Sequence, residues 1–127
     1  MVNQEKTELI ISGLTEMSSE SFFNSKDHGF HEPIERMRRC IQLHDPEMLT
    51  QYDTLIALGR LMLITTEVAE AAEAIRHGDK ANYAEELADI LIRVGDESFR
   101  MDVPLGEAVV EKHKINRGRE KMHGKLA

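Results

Sequence analysis

Hydrophobic residues recur every three or four positions along most of the chain, which is the spacing expected for one face of an α-helix. A weakly amphipathic pattern over residues 5–25 predicts a first helix, and Gly29 and Pro33 predict a loop after it. A short helix is predicted over residues 34–43. Because no alternating apolar run is long enough for a strand, the pattern predicts an all-α fold.

Start and stop signals predict three longer helices in the rest of the chain. Asp45 followed by Pro46 indicates a helix start, and Gly78 can supply a left-handed stop. Asn82 is predicted to cap the next helix, and Pro104 to open the last one. The predicted helices cover about 46–77, 82–101 and 104–118. Together with the N-terminal helix, they predict a four-helix-bundle-like core.

Two of these helices carry an apolar stripe, because residues three and four apart share a helix face. The stripes consist of Ile64, Val68, Ala71, Ala72 and Ile75 on the first, and Leu87, Ile90, Leu91 and Val94 on the second. Acidic flanks lie beside them, formed by Glu67, Glu70 and Glu73, and by Glu86, Asp89, Arg93 and Asp96. Packing through the apolar stripes would bring the two flanks towards each other.

The flanks repeat a short motif, because Glu67-x-x-Glu70 on one helix is matched by Glu86-x-x-Asp89 on the other. Carboxylates that face one another repel, and their pKa values rise unless a cation lies between them. A set of oxygen ligands suits Mg²⁺, with Mn²⁺ as the alternative. The competing interpretation is that both flanks are solvated faces of acidic helices.

The last predicted helix changes character along one face. Its inward stripe begins with Leu105, Ala108 and Val109 and continues as Lys112, Asn116 and Arg119. A core-facing stripe that turns cationic needs a partner. Either it pairs with the acidic flanks in structural salt bridges, or it binds an anion held by the metal ions, because Lys and Arg recognise phosphate oxygens.

The charge distribution bears on the partners of this protein. The formal net charge is −7, although residues 111–127 hold six basic and two acidic residues, so the rest of the chain is strongly acidic. Binding to nucleic acid normally requires a basic surface on the body of a protein, and this composition argues against it. An acidic site that gathers divalent cations, beside a basic tail that meets phosphate, fits better.

Length and composition predict a single globular domain over residues 1–127, since 41% of the residues are hydrophobic and 31% are charged. No apolar run reaches the ~18 residues of a membrane span, and the run at residues 9–11 is too short for a secretory signal. The single cysteine, Cys40, allows no disulfide within the chain, so a cytoplasmic protein is expected. A chain of this size is also expected to complete its core by oligomerisation.

These motifs together resemble the MazG-type all-α nucleoside triphosphate pyrophosphohydrolases. The resemblance covers Leu61 to the C-terminus, with weaker likeness over residues 26–30. Its segments are 61–71, 85–94 and 111–117, with Arg119 and His123-Gly124-Lys125. In that family four acids bind Mg²⁺, and an activated water cleaves the nucleotide between the α- and β-phosphates. The products are a nucleoside monophosphate and pyrophosphate, and the subunits form dimers or dimers of dimers.

The resemblance implies a role for each matching position of this chain. The metal ligands would be Glu67, Glu70, Glu86 and Asp89, and the residues that contact the triphosphate would be Lys112, Asn116 and Arg119. Glu67 or Glu70 would take the proton of the attacking water. Phe30 and His31 are candidates for the base pocket. The tail at 123–125 is expected to fold over the site of a neighbouring subunit.

The chain departs from the family pattern at residues 34–52, which look like an insertion before the metal-binding helix.

Three functions stay open for this protein. The first is a Mg²⁺-dependent pyrophosphohydrolase of a canonical or damaged dNTP, and the second is a mechanistic relative that acts on another nucleotide, such as phosphoribosyl-ATP. The third is a non-catalytic helical bundle that senses a nucleotide or mediates protein contacts.

Overall fold

A computed structural model describes residues 3–119, and the all-α fold class is confirmed within that range. The elements are α1 (Gln4–Asp27), α2 (Glu32–His44), a 3₁₀ turn (Pro46–Met48), α3 (Leu49–Arg76), α4 (Lys80–Arg100) and α5 (Leu105–Arg117). None of the helices in the described part of the chain combines the length and apolar character needed to span a membrane. The predicted tail motif at 123–125 lies outside the described residues.

Two predicted helix caps are wrong. A 3₁₀ turn begins at Pro46, the predicted first helical position, and leads into α3 at Leu49, but the side chain of Asp45 makes no capping hydrogen bond. The cap of α4 is Asp79, whose carboxylate accepts a hydrogen bond from the backbone N–H of Asn82 at 3.0 Å. Asn82 therefore lies inside the first turn and receives the cap instead of supplying it. The prediction for Gly78 is confirmed, since its φ of 67° is left-handed.

The helices form an open row. α4 packs against α3 on one side and against α1 on the other, and α5 packs against α1. Within residues 3–119, α3 makes no comparable contact with α1 or α5, so the four-helix-bundle-like core is open in a single chain. α2 lies against α3, where Arg38 binds Asp53 through two hydrogen bonds of 2.9 Å and the Tyr52 hydroxyl donates to the Ile34 carbonyl.

Two glycines lie at close contacts with α1. A Cβ at Gly106 of α5 would lie 2.8 Å from both the Cα and the carbonyl oxygen of Ile11, which are backbone atoms of α1. A Cβ at Gly95 of α4 would lie 2.7 Å from the sulfur of Met17. The spacing at Ile11 holds only because glycine has no side chain, since backbone atoms cannot move aside as the flexible Met17 side chain can. The buried face of α5 consequently runs through Gly106 and Val110, and the predicted inward residue Ala108 is exposed.

The predicted apolar stripes are rotated relative to the buried faces of α3 and α4. Val68 and Leu87, which were expected to meet in the core, are both about half exposed. Ala71 of the predicted stripe is buried as expected, but the other buried residues of α3 are Glu67 and Ala74, which lie outside that stripe. Alanine lets neighbouring helices approach closely, and the larger apolar side chains are left at the margin of the contact.

Few apolar side chains are buried within one chain. Among the described residues, the buried apolar positions are Ala71, Ala74 and Val110. Leu58 and Met62, one turn apart on α3, are 57% and 62% exposed. Monomeric proteins rarely leave contiguous apolar surface of this kind in contact with water. A single chain therefore leaves most of its large apolar side chains at least partly exposed.

Candidate functional site

Three of the predicted acidic residues come together between α3 and α4. Glu67 and Glu70 lie one turn apart on α3, and Glu86 reaches them from α4, so that one carboxylate oxygen of each lies within 4.8 Å of the others. Glu67 is buried, Glu86 is half-buried and Glu70 is exposed. We call these three residues the acidic cluster. The fourth predicted ligand, Asp89, is exposed and does not belong to this group.

The carboxyl group of Glu86 is in an unfavourable environment for a negative charge. Desolvation by burial, followed by the nearby carboxyl groups of Glu70 and Glu67, raises the pKa of Glu86 to about 7. Its Oε2 is buried and has no hydrogen-bond partner among the described residues. A buried acceptor without a donor is costly, and a cation would satisfy it.

Glu67 already has a cationic partner within the chain. The Nε of Arg93 donates a hydrogen bond of 2.8 Å to Oε1 of Glu67, and this contact holds the pKa of Glu67 below its ordinary value. The sequence located Arg93 on the acidic flank of α4, but no role followed from that position. The signal in the sequence was that Arg93 follows Asp89 by four residues, because this spacing puts an arginine on the same helix face as a predicted metal ligand.

A cavity of about 740 Å³ adjoins the acidic cluster. Its walls come from the end of α1 and the following loop, from the start of α2, and from α3 and α4. The chemically relevant residues in these walls are Phe30, Arg60, Glu67, Asp89, Arg93 and Asp96. Glu67 thus belongs both to the acidic cluster and to the cavity. The volume lies within the range of pockets that hold small-molecule ligands.

The two base-pocket candidates lie in different surroundings. Phe30 is exposed and lines the cavity. His31 is only 2% exposed and does not line it. The Nε2 of His31 lies 2.8 Å from Oδ1 of Asp96, and its ring lies against Phe22 with the centroids 4.6 Å apart. His31 therefore supports the cavity wall from behind, through Asp96.

An ion-pair network underlies the same wall, and it was not predicted from the sequence. Arg60 of α3 donates through Nη2 to Oδ2 of Asp96 at 2.7 Å and through Nε to Glu97. Arg100 also binds Glu97, with contacts of 3.0 and 2.6 Å. The network joins α3 to α4, and both Arg60 and Asp96 are largely buried. A buried charge is tolerated when it is paired in this way.

A comparison with known protein families finds a match in the second half of the chain. Residues 58–118 match the family model described as MazG nucleotide pyrophosphohydrolase domain. This segment is of the MazG type. The match confirms the resemblance predicted from the sequence and suggests a nucleotide pyrophosphohydrolase activity. No curated protein and no solved structure matches the chain.

The MazG-type segment contains the acidic cluster, Asp89 and the whole of α5, and it leaves out α1 and α2. The residues suspected of forming an insertion, 34–52, all precede the matched segment, and their status as an insertion stays a prediction. Phe30, which lines the cavity, also precedes it. The walls of the cavity thus combine the MazG-type segment with residues from outside it.

Lys112 and Asn116 lie on α5, whereas Arg119 follows the end of that helix at Arg117, so the predicted stripe does not extend to it. None of the three is brought to the cavity of its own chain, and α5 packs along α1. Within residues 3–119, Lys112 and Arg119 form no ion pair. The Oδ1 of Asn116 is buried and has no hydrogen-bond partner in the same range. Salt bridges from these side chains to the acidic flanks are therefore absent from the described part of the chain.

The donor set of the acidic cluster fits a hard divalent cation of the kind that MazG-type proteins use. All three side chains offer carboxylate oxygens, which are the ligands that Mg²⁺ and Mn²⁺ prefer. The buried, unpartnered Oε2 of Glu86 supports the same interpretation, since a ligated metal ion would complete its interactions.

Proposed function

We propose that this protein is a Mg²⁺-dependent nucleoside triphosphate pyrophosphohydrolase. It adds water across the anhydride between the α- and β-phosphates of a (d)NTP, which yields a (d)NMP and pyrophosphate. The observation that carries the proposal is the meeting of three carboxylates from two helices beside a cavity of about 740 Å³, within a MazG-type segment.

Glu67, Glu70 and Glu86 are the proposed ligands of the metal ion, and Asp89 on the cavity wall is the proposed fourth ligand. These carboxylates would hold Mg²⁺, or Mn²⁺ as the alternative, and the ion would supply charge neutralisation at the phosphates and a lowered pKa for the attacking water. The carboxylates would hold the cation at one side of the cavity, and the rest of the cavity would be free for the remainder of the nucleotide.

Glu70 is the proposed acceptor of the proton from the attacking water. Glu67, the other candidate, is buried and hydrogen-bonded by Arg93. Glu70 is exposed and forms no ion pair within residues 3–119, so its carboxylate has room for a water molecule. A general base must lie within hydrogen-bond reach of the proton that it removes.

Lys112, Asn116 and Arg119 are proposed to contact the triphosphate in an assembled oligomer, because none of them lines the cavity of its own chain. A homodimer or homotetramer is the proposed assembly. It is supported by the open row of helices and by exposed apolar residues such as Leu58 and Met62. A cytoplasmic location and the lack of a nucleic-acid partner stay predictions from the composition.

A panel of nucleotides tests the proposed function. NTPs and dNTPs, including dUTP, dCTP and oxidised or deaminated forms, are incubated with the protein and Mg²⁺, and pyrophosphate is distinguished from orthophosphate. We expect pyrophosphate release that EDTA abolishes. Glu70→Gln should lose turnover while its helical content and oligomeric state are unchanged. The matched control is Glu85→Gln, an exposed neighbour outside the acidic cluster, which should behave as wild type.

Two results would contradict parts of this proposal. Turnover of Glu70→Gln close to that of wild type would overturn the assignment of the acidic cluster. Binding of a nucleotide without any turnover across the panel would favour the non-catalytic, nucleotide-sensing function instead.

A further inference from the structure

Arg93 places a positively charged guanidinium in the same cavity wall as Glu67 and Asp89. On α4 it lies four residues after Asp89, and both side chains line the cavity. Residues at this spacing are neighbours on the helix surface. Arg93 also reaches across to α3, where its Nε donates to Oε1 of Glu67 at 2.8 Å. It therefore contacts the acidic cluster and faces the cavity at the same time.

Arg93 has more N–H donors free than Arg60, the other arginine in the cavity wall. A guanidinium has five N–H donors. Arg60 is 15% exposed and binds Asp96 and Glu97 through Nη2 and Nε. Arg93 is 41% exposed, and within residues 3–119 its two Nη groups have no hydrogen-bond partner. Its planar group thus offers free donors of the type that recognise phosphate oxygens.

A divalent cation and the guanidinium of Arg93 would compete for the carboxylate of Glu67. Glu67 is a member of the acidic cluster and also the partner of Arg93. A divalent cation and a guanidinium on the same carboxylate would repel each other. The long side chain of Arg93 is partly exposed, so it can move away at small cost, whereas Glu67 is buried and held by its helix.

We propose that Arg93 is a substrate-contacting residue that also serves as an internal counter-ion. Its guanidinium neutralises Glu67 when no metal ion is bound, and it moves to the phosphate oxygens of a polyphosphate ligand once a divalent cation occupies Glu67. The identity of the polyphosphate as a nucleotide rests on the proposed function. The competition for Glu67 does not, because it concerns the chain and the cation alone.

Titration of the full-length, nucleotide-free protein with Mn²⁺ tests the counter-ion role. Arg93→Met should bind Mn²⁺ about two- to fivefold more tightly than wild type, because Glu67 no longer has a competing partner. Arg93→Lys, which keeps the charge and loses Nε, should lie between them. The matched control is Arg76→Met, which removes the same charge from an exposed pair with Glu73 and should leave the affinity close to wild type.

A second titration tests the contact with phosphate. With Mg²⁺ present, a nonhydrolysable α,β-imido dNTP should bind Arg93→Met at least about tenfold more weakly, as expected for the loss of a charge-assisted hydrogen bond. Arg93→Lys should recover part of this affinity, and Arg76→Met should equal wild type. Arg93→Met should therefore bind Mn²⁺ more tightly and the analogue more weakly. A merely structural role would weaken the binding of both ligands and lower the melting temperature.

The outcomes separate this inference from the proposed function. Equal Mn²⁺ affinities of Arg93→Met and Arg76→Met would overturn the counter-ion role. Tighter Mn²⁺ binding with unchanged affinity for the analogue would overturn the phosphate contact. A wild-type protein that binds Mn²⁺ but no nucleotide would contradict the proposed function, and the comparison of Mn²⁺ affinities would still decide whether Arg93 competes for Glu67.

Discussion

The Nε2 of His31 lies 2.8 Å from Oδ1 of Asp96, although 65 residues separate them along the chain. The contact ties the segment between α1 and α2 to α4, directly behind the cavity that Asp96 lines. Arg60 holds the other carboxylate oxygen of Asp96. The position of one cavity wall therefore depends on a buried histidine that faces away from the ligand space.

Replacement of His31 tests this support. His31→Ala removes both the hydrogen bond to Asp96 and the contact with Phe22, so we expect the free energy of unfolding to fall by about 2–3 kcal/mol. Chemical denaturation measures the change. His44→Ala is the control, because His44 is exposed and its side chain forms no hydrogen bond within residues 3–119. Equal stability of the two variants would contradict a supporting role for His31.

The approach of α5 to α1 gives a second prediction. Gly106→Ala introduces a Cβ against the backbone of Ile11, which cannot move aside as a side chain would, so we expect a loss of roughly 1–3 kcal/mol in the free energy of unfolding. Gly13→Ala is the matched control, since a Cβ there has no neighbour within 4 Å. That variant should gain about 0.5–1 kcal/mol from better helix propensity. Thermal unfolding that ranks the two variants in the opposite order would refute the close approach.

The pKa of Glu86 predicts a pH dependence of the metal-free protein. Folded Glu86 keeps its proton up to about pH 7, whereas the unfolded chain releases it near the ordinary value of 4.5. Between these pH values Glu86 holds its proton more strongly in the folded chain than in the unfolded one, so its contribution to the free energy of unfolding should fall as the pH rises. Glu86→Gln should remove this contribution to the slope, while Glu85→Gln should retain it.

Denaturation of the metal-free protein at several pH values between 4.5 and 7 checks this dependence. Saturating Mg²⁺ should weaken it, because the cation stabilises the ionised form of Glu86. Parallel pH profiles for wild type and Glu86→Gln would show that Glu86 ionises normally in the folded chain.

The exposed apolar face of α3 predicts the effect of a charge on assembly. Wild-type protein should sediment as a dimer or tetramer, and Met62→Glu should shift the population towards smaller species, because a charge is costly in an apolar interface. Sedimentation velocity measures both, with circular dichroism to verify the fold. Gln51→Glu, an exposed polar position near the start of α3, should leave the assembly unchanged. A wild-type monomer at micromolar concentration would argue against the proposed oligomer.

The local pattern of residues was enough to locate the helices. The helix predicted over 5–25 is observed at Gln4–Asp27, and the one predicted over 82–101 at Lys80–Arg100. Helix periodicity depends on residues within one or two turns, which explains this agreement. The cap predicted for α4 was wrong, because Asp79, three residues before Asn82, is also a suitable cap residue and accepts the hydrogen bond from the Asn82 N–H.

The faces that become buried could not be inferred from periodicity alone. Val68 is a better core residue than Glu67 by hydrophobicity, yet Val68 is half exposed and Glu67 is buried beside Ala71. The helices approach each other along their small residues, and the large apolar side chains stay exposed on the surface of a single chain. This choice depends on how α3 and α4 fit together, a property of two surfaces and not of either sequence segment.

The candidate site divides in the same way. The repeat of Glu67-x-x-Glu70 as Glu86-x-x-Asp89 was visible in the sequence, because the spacing of three residues is a local property of a helix. The tertiary structure decided that Asp89 stands apart from the acidic cluster and that Arg93 binds Glu67, 26 residues away. Which side chains meet across two helices depends on their crossing and relative rotation, and a single sequence does not specify either.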